Sequence, residues 1–249
     1  TGRLLRITRL YTPQSLVAGQ QLTITGQAAH HASHVLRLRT GANITLFDGR
    51  GNEHHATLHE ITRSGIVVAI GAALTPTQES PLEITLLQGI ARNDHMDLVL
   101  QKAVELGVQT IQPLWMQRSQ KRLQGERLEK RSRHWEGVII SACEQCGRAS
   151  LPTLLTADDY ANVFKRNVAD DALQLMLQPD ADTCLPGLEK PAGSVALLVG
   201  PEGGLTTAEQ SLASASGFTG IRMGPRILRT ETAALAAIAG VQTLWGDLS

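Results

Sequence analysis

The sequence predicts an α/β protein in two parts, a small β-rich domain followed by a larger domain built on a parallel sheet. Residues 1–73 contain short β-branched runs separated by turn residues, which indicate strands. From residue 82 onward, apolar runs alternate with segments of helical periodicity. Some of these runs, such as ALQLMLQ and SVALLVG, are almost continuously apolar, which is typical of strands buried on both faces of a parallel sheet.

The first domain is assigned to residues 1–73, with predicted strands at 22–25, 43–49, 55–62 and 66–72. The run DGRG at 48–51 indicates a hairpin turn, and one short helix fits residues 30–38. We therefore expect a small β-barrel. The run LTPTQESP at 74–81 has two prolines and no periodicity, so it is predicted to be a linker.

The second domain, residues 82–249, has predicted strands at 82–90, 110–115, 172–178, 194–200 and 219–223. Asn93 and Asp94 are expected to cap a helix that ends at Gly107 and buries Met96, Val99, Leu100, Ala103 and Val104. Further helices are predicted at 125–148 and 231–245. Thr206 and Glu209 form a capping box for another helix that ends near residue 216.

Composition narrows the class of protein. Of the 249 residues, 42% are hydrophobic, which is enough for a packed core, and no apolar run is long enough to span a bilayer. Three cysteines and the absence of a secretory signal pattern favour a reduced, cytoplasmic setting. The net charge of zero combines +4 over residues 1–73 with −4 over the rest. The first domain is rich in arginine, which suits phosphate contacts, although a solvated surface would have the same composition.

Two glycine-containing turns are the strongest indications of a ligand site. GPEGG at 200–204 follows a predicted strand and precedes a capped helix, and its glycines would let the backbone approach a ligand closely. It is neither a Walker loop nor a dinucleotide fingerprint, and a plain tight turn would also explain it.

MGPRILRTETA at 223–233 also joins a strand to a helix. It would expose Ile227 and Leu228 unless they cover something, and it places Arg229 at a helix N-terminus, where the dipole disfavours a cation.

Together the two turns resemble those of the SPOUT (α/β-knot) RNA methyltransferases, and within that class the ribosomal RNA small subunit methyltransferase E family. The resemblance extends to LLQGIARNDHMDLVLQKAVELGVQTIQPLW at 86–115 and RHWEGVIISACEQCGRASLP at 133–152. HHASHVLRLRTGANITLFDGRG at 30–51 is similar to the PUA-like domain of that family. The family often has lysine at the position of Arg92, and residues 153–188 share little with it.

This resemblance implies a knotted C-terminal domain, S-adenosyl-L-methionine as the methyl donor, and a cytoplasmic homodimer that needs neither metal nor membrane. It also implies that the target is N3 of uridine 1498 in the 16S ribosomal RNA of the small subunit. The residues expected around the cofactor are Leu177, Val199, Gly200, Gly203, Gly204, Met223, Ile227, Leu228 and Thr232.

The candidate catalytic residues come from the same two turns. Arg229 could stabilise the negative charge that grows on uracil as N3 loses its proton. Glu231 or Glu202 could be the base or could hold Arg229, and the sequence does not choose between them. RNA contacts are expected from Arg3, Arg6, Arg9, Arg37, Arg39, Arg118 and Arg122. For the basic run that starts at Arg118, a solvated helix face is the alternative.

Two other patterns are interpreted as structural. Cys143 and Cys146 form C-x-x-C within a predicted helix and lack a second pair of ligands, so packing is favoured over zinc binding. The histidines are irregularly spaced and have few carboxylates nearby, so no metal site is predicted from His30, His31, His34, His54, His55 and His59.

Three other functions stay open. An enzyme of the same fold could methylate another base or a ribose 2′-hydroxyl. A non-catalytic RNA-binding ribosome assembly factor could have lost donor binding, although the intact glycine turns argue against this. A phosphate-transfer enzyme on an ordinary doubly wound sheet would require a lysine and metal-binding carboxylates that the turns lack.

Overall fold

The computed structural model describes residues 7–166 and 172–248, except for the side chain of Gln27. It divides into two compact units. Thr1–Glu79 and Cys143–Leu151 form the first unit, and Ser80–Ala142 and Pro152–Ser249 form the second. The first unit therefore includes residues 143–151, a segment that no sequence pattern assigned to it.

The first unit is a curled sheet of five strands. The strands are β1 (Thr8–Tyr11), β2 (Gln21–Thr25), β3 (Asn43–Phe47), β4 (Glu53–Ile61) and β5 (Gly65–Ala73). Their order is β1-β3-β4-β5-β2, and β1 and β3 are parallel while the other pairs are antiparallel. Two register shifts between β4 and β5 favour the curling, because bulges bend and twist a strand. Alternate residues such as Leu46, Leu58 and Val68 are buried in the core of this unit.

A short helical segment and residues 143–151 complete the first unit. Helix α1 (Gly26–His30) continues into a π-helical turn at His31–Val35, so the helix begins earlier than predicted. The later segment belongs here because it is hydrogen-bonded to the sheet. Glu144 accepts a bond of 3.0 Å from the amide of Tyr11, and the amide of Leu151 donates to the carbonyl of Gly49 at 3.0 Å.

The second unit is built on a parallel sheet, as predicted. Its strands are β6 (Glu83–Gly89), β7 (Thr110–Trp115), β8 (Thr153–Leu154), β9 (Asp158–Asp159), β10 (Ala172–Leu177), β11 (Ser194–Val199) and β12 (Thr219–Ile221). The order is β12-β10-β11-β6-β7-β8, with β9 also paired to β7. All these pairs are parallel, so the strands end at one edge of the sheet. Strands β8 and β9 were not predicted, since two residues are too few to show a period.

In the part of the chain that the structure describes, five α-helices accompany this sheet: α2 (Asn93–Glu105), α3 (Glu126–Cys146), α4 (Tyr160–Lys165), α5 (Thr207–Ala215) and α6 (Thr230–Trp245). Helix α2 buries all five of the apolar residues predicted for it, but Asn93 and Asp94 do not cap it, because the helix begins at Asn93 and Arg92 is the N-cap residue, without a side-chain cap hydrogen bond. The capping box of Thr206 and Glu209 is present at the start of α5. Helix α6 packs against α2 and buries an apolar stripe that includes Ala234, Ile238 and Val241. Among the described residues, no helix is both long and apolar enough to cross a membrane.

The cysteines are unpaired. Cys143 is fully buried, and burial raises the pKa of its thiol to about 12, so it behaves as a small apolar residue. Cys146 is partly buried, and Cys184 is exposed. In the part of the chain that the structure describes, no group of three or more His, Cys, Asp or Glu side chains is arranged to hold a metal ion.

Two leucines on α2 test the packing of the second unit. Leu100 is fully buried, and its replacement by alanine should lower the free energy of unfolding by about 2–5 kcal/mol, because a cavity forms. Leu98 is 38% exposed, so Leu98→Ala should cost no more than about 0.5 kcal/mol. Urea unfolding followed by tryptophan fluorescence measures both, since Trp115, Trp135 and Trp245 all lie in this unit. Equal losses from the two variants would contradict the packing.

Candidate active site

A cavity of about 320 Å³ opens at the carboxyl ends of β10, β11 and β12. Most of its lining comes from the loop of residues 200–206, which joins β11 to α5, and from the loop of residues 222–229, which joins β12 to α6. Ligands of parallel α/β sheets bind at this edge. Of the nine residues assigned to the cofactor from the sequence, eight line the cavity: Leu177, Val199, Gly200, Gly203, Gly204, Met223, Ile227 and Leu228.

The ninth residue, Thr232, lies elsewhere. It is exposed on the first turn of α6 and does not line the cavity, whereas Thr230 and Ala233 do. Helical geometry explains the difference, because residues three apart share a face and a residue two positions after Thr230 points to the far side. The structure therefore brings Thr230 to the cavity instead of Thr232.

Thr230 joins three segments at the base of the cavity. Its hydroxyl donates to the carbonyl of Gly200 at 2.6 Å and accepts from Nε2 of Gln88 at 3.1 Å. Gln88 is fully buried near the end of β6, and its Nε2 also donates to the carbonyl of Gly89 at 2.9 Å. The Thr230 hydroxyl and the Gln88 amide nitrogen are thereby hydrogen-bonded away from water, whereas Oε1 of Gln88 is buried without a hydrogen-bond partner among the described residues. These bonds fix the start of α6 against the ends of β6 and β11.

The backbone of the 200–206 loop requires glycine at position 204. Gly204 has φ +68°, the left-handed region that other residues rarely adopt, and its amide donates to the carbonyl of Pro201 at 2.8 Å. A Cβ at this position would meet no atom within 4 Å. The loop is therefore tightly turned, and open space lies beside its backbone.

A histidine and two glutamates lie together at the cavity: Glu202 lines it, whereas His95 and Glu231 do not. Oε1 of Glu202 accepts from the amide of Arg92 at 2.7 Å and lies 3.1 Å from Nδ1 of His95. Burial alone would raise the pKa of Glu202, but these hydrogen bonds outweigh it and lower the pKa. Oε2 of Glu231 is buried, lies 3.7 Å from Nδ1 of His95, and has no hydrogen-bond partner among the described residues. Glu202 is therefore engaged with the backbone, whereas one oxygen of Glu231 is not hydrogen-bonded there.

The 222–229 loop presents exposed side chains at the cavity mouth. Arg226 and Ile227 line the cavity, and Ile227 is 87% exposed. Arg229 is the exposed N-cap residue of α6. It comes directly after Leu228 in sequence but does not line the cavity. The sequence predicted Arg229 to stabilise developing charge and Glu231 or Glu202 to be the base or to hold Arg229. The structure places Arg229 and Glu231 on either side of Thr230, with Arg229 exposed and Glu231 buried at 8% exposure.

The arginines assigned to RNA have different environments. Arg3 and Arg6 lie outside the described residues. Arg9 pairs with the carboxylate of Glu53, stacks over Phe47, and donates to the carbonyl of Arg148 within the first unit. Arg37, which has φ +51°, and Arg39 are exposed. In the second unit, Arg122 bonds to Asp159 at 3.4 Å, and Arg118 lines the cavity and donates to Gly203 at 2.7 Å.

Sequence reasoning missed Gln88, Thr230 and His95. Gln88 did have a signal, since it is the one strongly polar residue near the end of the apolar run LEITLLQGI. His95 and Thr230 had none, because their partners Glu202 and Gly200 lie 107 and 30 residues away along the chain.

Comparison with known proteins identifies the class. Residues 78–242 match the family model described as the RNA methyltransferase domain, and residues 24–71 match the RNA methyltransferase PUA domain. With the parallel sheet and the cavity at its carboxyl edge, these matches define an RNA methyltransferase that has a PUA-like domain followed by a SPOUT, or α/β-knot, domain.

Individual relatives are similar over nearly their whole length. The ribosomal RNA small subunit methyltransferase E of Buchnera aphidicola subsp. Schizaphis graminum is 33% identical over 98% of this chain and 99% of its own. The Neisseria gonorrhoeae enzyme of that name, whose crystal structure has S-adenosyl methionine bound, is 42% identical with a TM-score of 0.93, over 98% of this chain and 100% of the other. A Legionella pneumophila protein in complex with the same cofactor is 38% identical with a TM-score of 0.92, over the same shares. The chain belongs to the ribosomal RNA small subunit methyltransferase E family.

Two threonines on the first turn of α6 test the base of the cavity. Thr230→Val removes the hydroxyl but keeps the shape, which leaves the Gly200 carbonyl and the Gln88 amide each without this partner. The free energy of unfolding should fall by about 1–3 kcal/mol, the cost of unpaired buried polar groups. Thr232→Val, at the exposed neighbour, should change it by no more than about 0.5 kcal/mol. Denaturant unfolding measures both, and a neutral Thr230→Val would contradict the role given to the hydroxyl.

Proposed function

We propose that this protein transfers a methyl group from S-adenosyl-L-methionine to N3 of one uridine in the 16S ribosomal RNA of the small ribosomal subunit. The observation that carries the proposal is the cavity between the 200–206 and 222–229 loops. It occurs in a chain whose fold matches that of an enzyme solved with this cofactor, at a TM-score of 0.93. The proposed target follows from the family resemblance of the two loops.

The residues of the cavity fit such a cofactor. Leu177, Met223 and Leu228 provide apolar walls that suit an adenine ring, and the glycine loop leaves backbone groups and open space beside Gly204. Gly200, Gly203, Val199 and Ile227 complete the residues that would hold it. When bound, the cofactor supplies an electrophilic methyl group on a sulfonium sulfur. The protein must then orient a uridine toward that group and help its N3 to lose a proton.

Glu231 is the better candidate for taking that proton. The carboxylate of Glu202 already accepts a hydrogen bond from the Arg92 amide and has a lowered pKa, so it is a weak base and an anchor for the segment after β6. Glu231 is buried next to His95, and its Oε2 has no hydrogen-bond partner in the described part of the chain. In this assignment the N3 proton passes to Glu231, the N3 electron pair forms the bond to the methyl carbon, and the carbon–sulfur bond breaks with its electron pair staying on sulfur, which leaves as a neutral thioether.

Arg229 is assigned to the charge that develops on the uracil ring. A cation at the N-cap of α6 gains nothing from the helix dipole, so its place there is not explained by helix stability. The side chain is exposed beside the cavity mouth and can therefore meet a bound base. A guanidinium can donate to a carbonyl oxygen of the ring while negative charge accumulates on it.

The RNA is proposed to bind to arginines of both units. Exposed Arg37 and Arg39 are suited to phosphate contacts in the first unit, as is Arg122 in the second. The sequence also assigns Arg3, Arg6, Arg9 and Arg118 to RNA, although the guanidinium of Arg9 is engaged with Glu53. A homodimer in the cytoplasm is proposed as the working form, and the 87% exposure of Ile227 beside the cavity supports it, because a partner could cover this apolar side chain.

Nucleoside analysis tests the proposed target. Small ribosomal subunits that lack the modification should gain one methyl group per 16S RNA when incubated with the protein and the cofactor. After nuclease digestion, mass spectrometry should detect 3-methyluridine. Methylation of a ribose or of another base would contradict the N3 assignment. Cofactor binding without any methyl transfer would favour the assembly-factor alternative.

Two variants test the catalytic assignments. Glu231→Gln removes the proton acceptor and Arg229→Ala removes the charge stabilisation, so each should lower kcat by about 10²–10³-fold. Cofactor affinity measured by calorimetry should stay within about threefold, because neither residue lines the cavity. Thr232→Val, on the same turn and exposed, serves as the control and should keep wild-type turnover. Full turnover by either test variant would exclude the role given to that residue.

A further inference from the structure

A buried carboxylate connects the segment after β7 to the start of α5. Glu209 is fully buried, and its Oε2 accepts from the amide of Thr206 at 2.7 Å and from its hydroxyl at 2.9 Å. Its Oε1 accepts from the amide of Gln117 at 2.8 Å. A buried carboxylate is tolerated only when it is well hydrogen-bonded, so these three bonds hold residue 117 against the end of the 200–206 loop.

Arg118, the next residue, lies across that loop. Its Nη1 donates to the carbonyl of Gly203 at 2.7 Å and lies 3.4 Å from that of Leu205. Its aliphatic stem packs directly on Gly203, where a Cβ would lie only 2.9 Å from Cβ of Arg118 and 3.1 Å from its Cδ. Glycine is therefore needed at position 203 for the arginine to lie there, and Arg118 becomes part of the cavity wall.

We propose that Arg118 is a positioning residue for cofactor binding, and not the RNA contact that its basic surroundings suggest. It holds the carbonyls of Gly203 and Leu205 so that the 200–206 loop has its ligand-binding shape before the cofactor arrives. Glu209 holds the segment that carries Arg118. A loop that is already ordered loses less conformational entropy when its ligand binds, which strengthens binding. The inference rests on the proposed function, because it takes the ligand of this cavity to be S-adenosylmethionine.

Arg122 is a matched control on the same segment. It carries the same charge four residues later, but its side chain is half-exposed and bonds to Asp159, not to the loop. A purely electrostatic role in RNA binding would therefore be shared by Arg118 and Arg122. A role in holding the loop would belong to Arg118 alone.

Calorimetry with S-adenosylmethionine on the full-length, RNA-free protein separates these roles. Arg118→Ala should weaken cofactor binding about tenfold, as expected for the loss of charge-assisted hydrogen bonds, whereas Arg122→Ala should stay within about twofold of wild type. Arg118→Lys keeps the charge but not the planar fork, so it should restore only part of the affinity. In steady-state assays, Arg118→Ala should raise KM for the cofactor more than it lowers kcat.

Hydrogen exchange on the cofactor-free protein gives an independent readout. The amides of residues 200–206 should exchange faster in Arg118→Ala than in wild type, while those of α6 should not change, which distinguishes a loosened loop from general unfolding. Unchanged exchange in the loop together with a cofactor affinity within about twofold of wild type would overturn the proposal. Wild-type cofactor affinity in Arg118→Lys would show that a charge at this position suffices and that the hydrogen bonds of Nη1 are not required.

Measurements of RNA binding by the same variants distinguish a role of Arg118 in holding the loop from a role in contacting RNA. If Arg118→Ala weakened RNA binding as much as Arg122→Ala and left cofactor affinity intact, Arg118 would be an RNA contact, contrary to the proposal. If the wild-type protein bound no S-adenosylmethionine, the proposed function would fail. The exchange comparison would still decide whether Arg118 holds the loop, so the two failures are distinguishable.

Discussion

The hydroxyl of Thr230 is the interaction on which the site depends. It bonds to Gly200 and to Gln88, which are 30 and 142 residues away along the chain. Through this one group, the start of α6 is fixed at the ends of two parallel strands. The positions of Arg229 and Glu231 follow, because they are the neighbours of Thr230 in sequence. The cavity is thus a product of the tertiary fold, and no single segment could form it alone.

Carboxylates near the cavity have two kinds of surroundings. Glu202 accepts a hydrogen bond from the amide of Arg92, and Glu209 accepts hydrogen bonds from the amides of Gln117 and Thr206. These bonds hold separate loops of the chain together. Glu231 is buried beside His95, and its Oε2 is not hydrogen-bonded among the described residues. The first arrangement fixes the backbone and, at Glu202, lowers the pKa of the carboxyl, while the second leaves a carboxylate oxygen without a hydrogen bond there. This contrast supports the division of roles between Glu202 and Glu231, which the sequence could not make.

Helical periodicity and the capping box of α5 are the features that the sequence predicted well, whereas the cap expected from Asn93 and Asp94 is not formed. The five buried positions of α2 and the capping box of α5 depend only on residues a few positions apart, and both are confirmed. The failures come from longer range. Residues 143–151 join the first unit through bonds to β1 and the turn after β3, and nothing in their own composition indicates this. The expectation for Thr232 differs from the structure by helix phase, since Thr230, two residues earlier, lines the cavity. The RNA role of Arg118 stays a prediction, and its bonds to the carbonyls of Gly203 and Leu205 have no signal in the sequence, because those partners lie 85 and 87 residues away.

A crystal structure of the protein with S-adenosylmethionine tests the central claim most directly. The ligand should occupy the cavity between residues 200–206 and 222–229, with its adenosine against the glycine loop and with the hydroxyl of Thr230 still bonded to Gly200. Density for the ligand at another place on the chain, or an empty cavity at saturating concentration, would contradict the account.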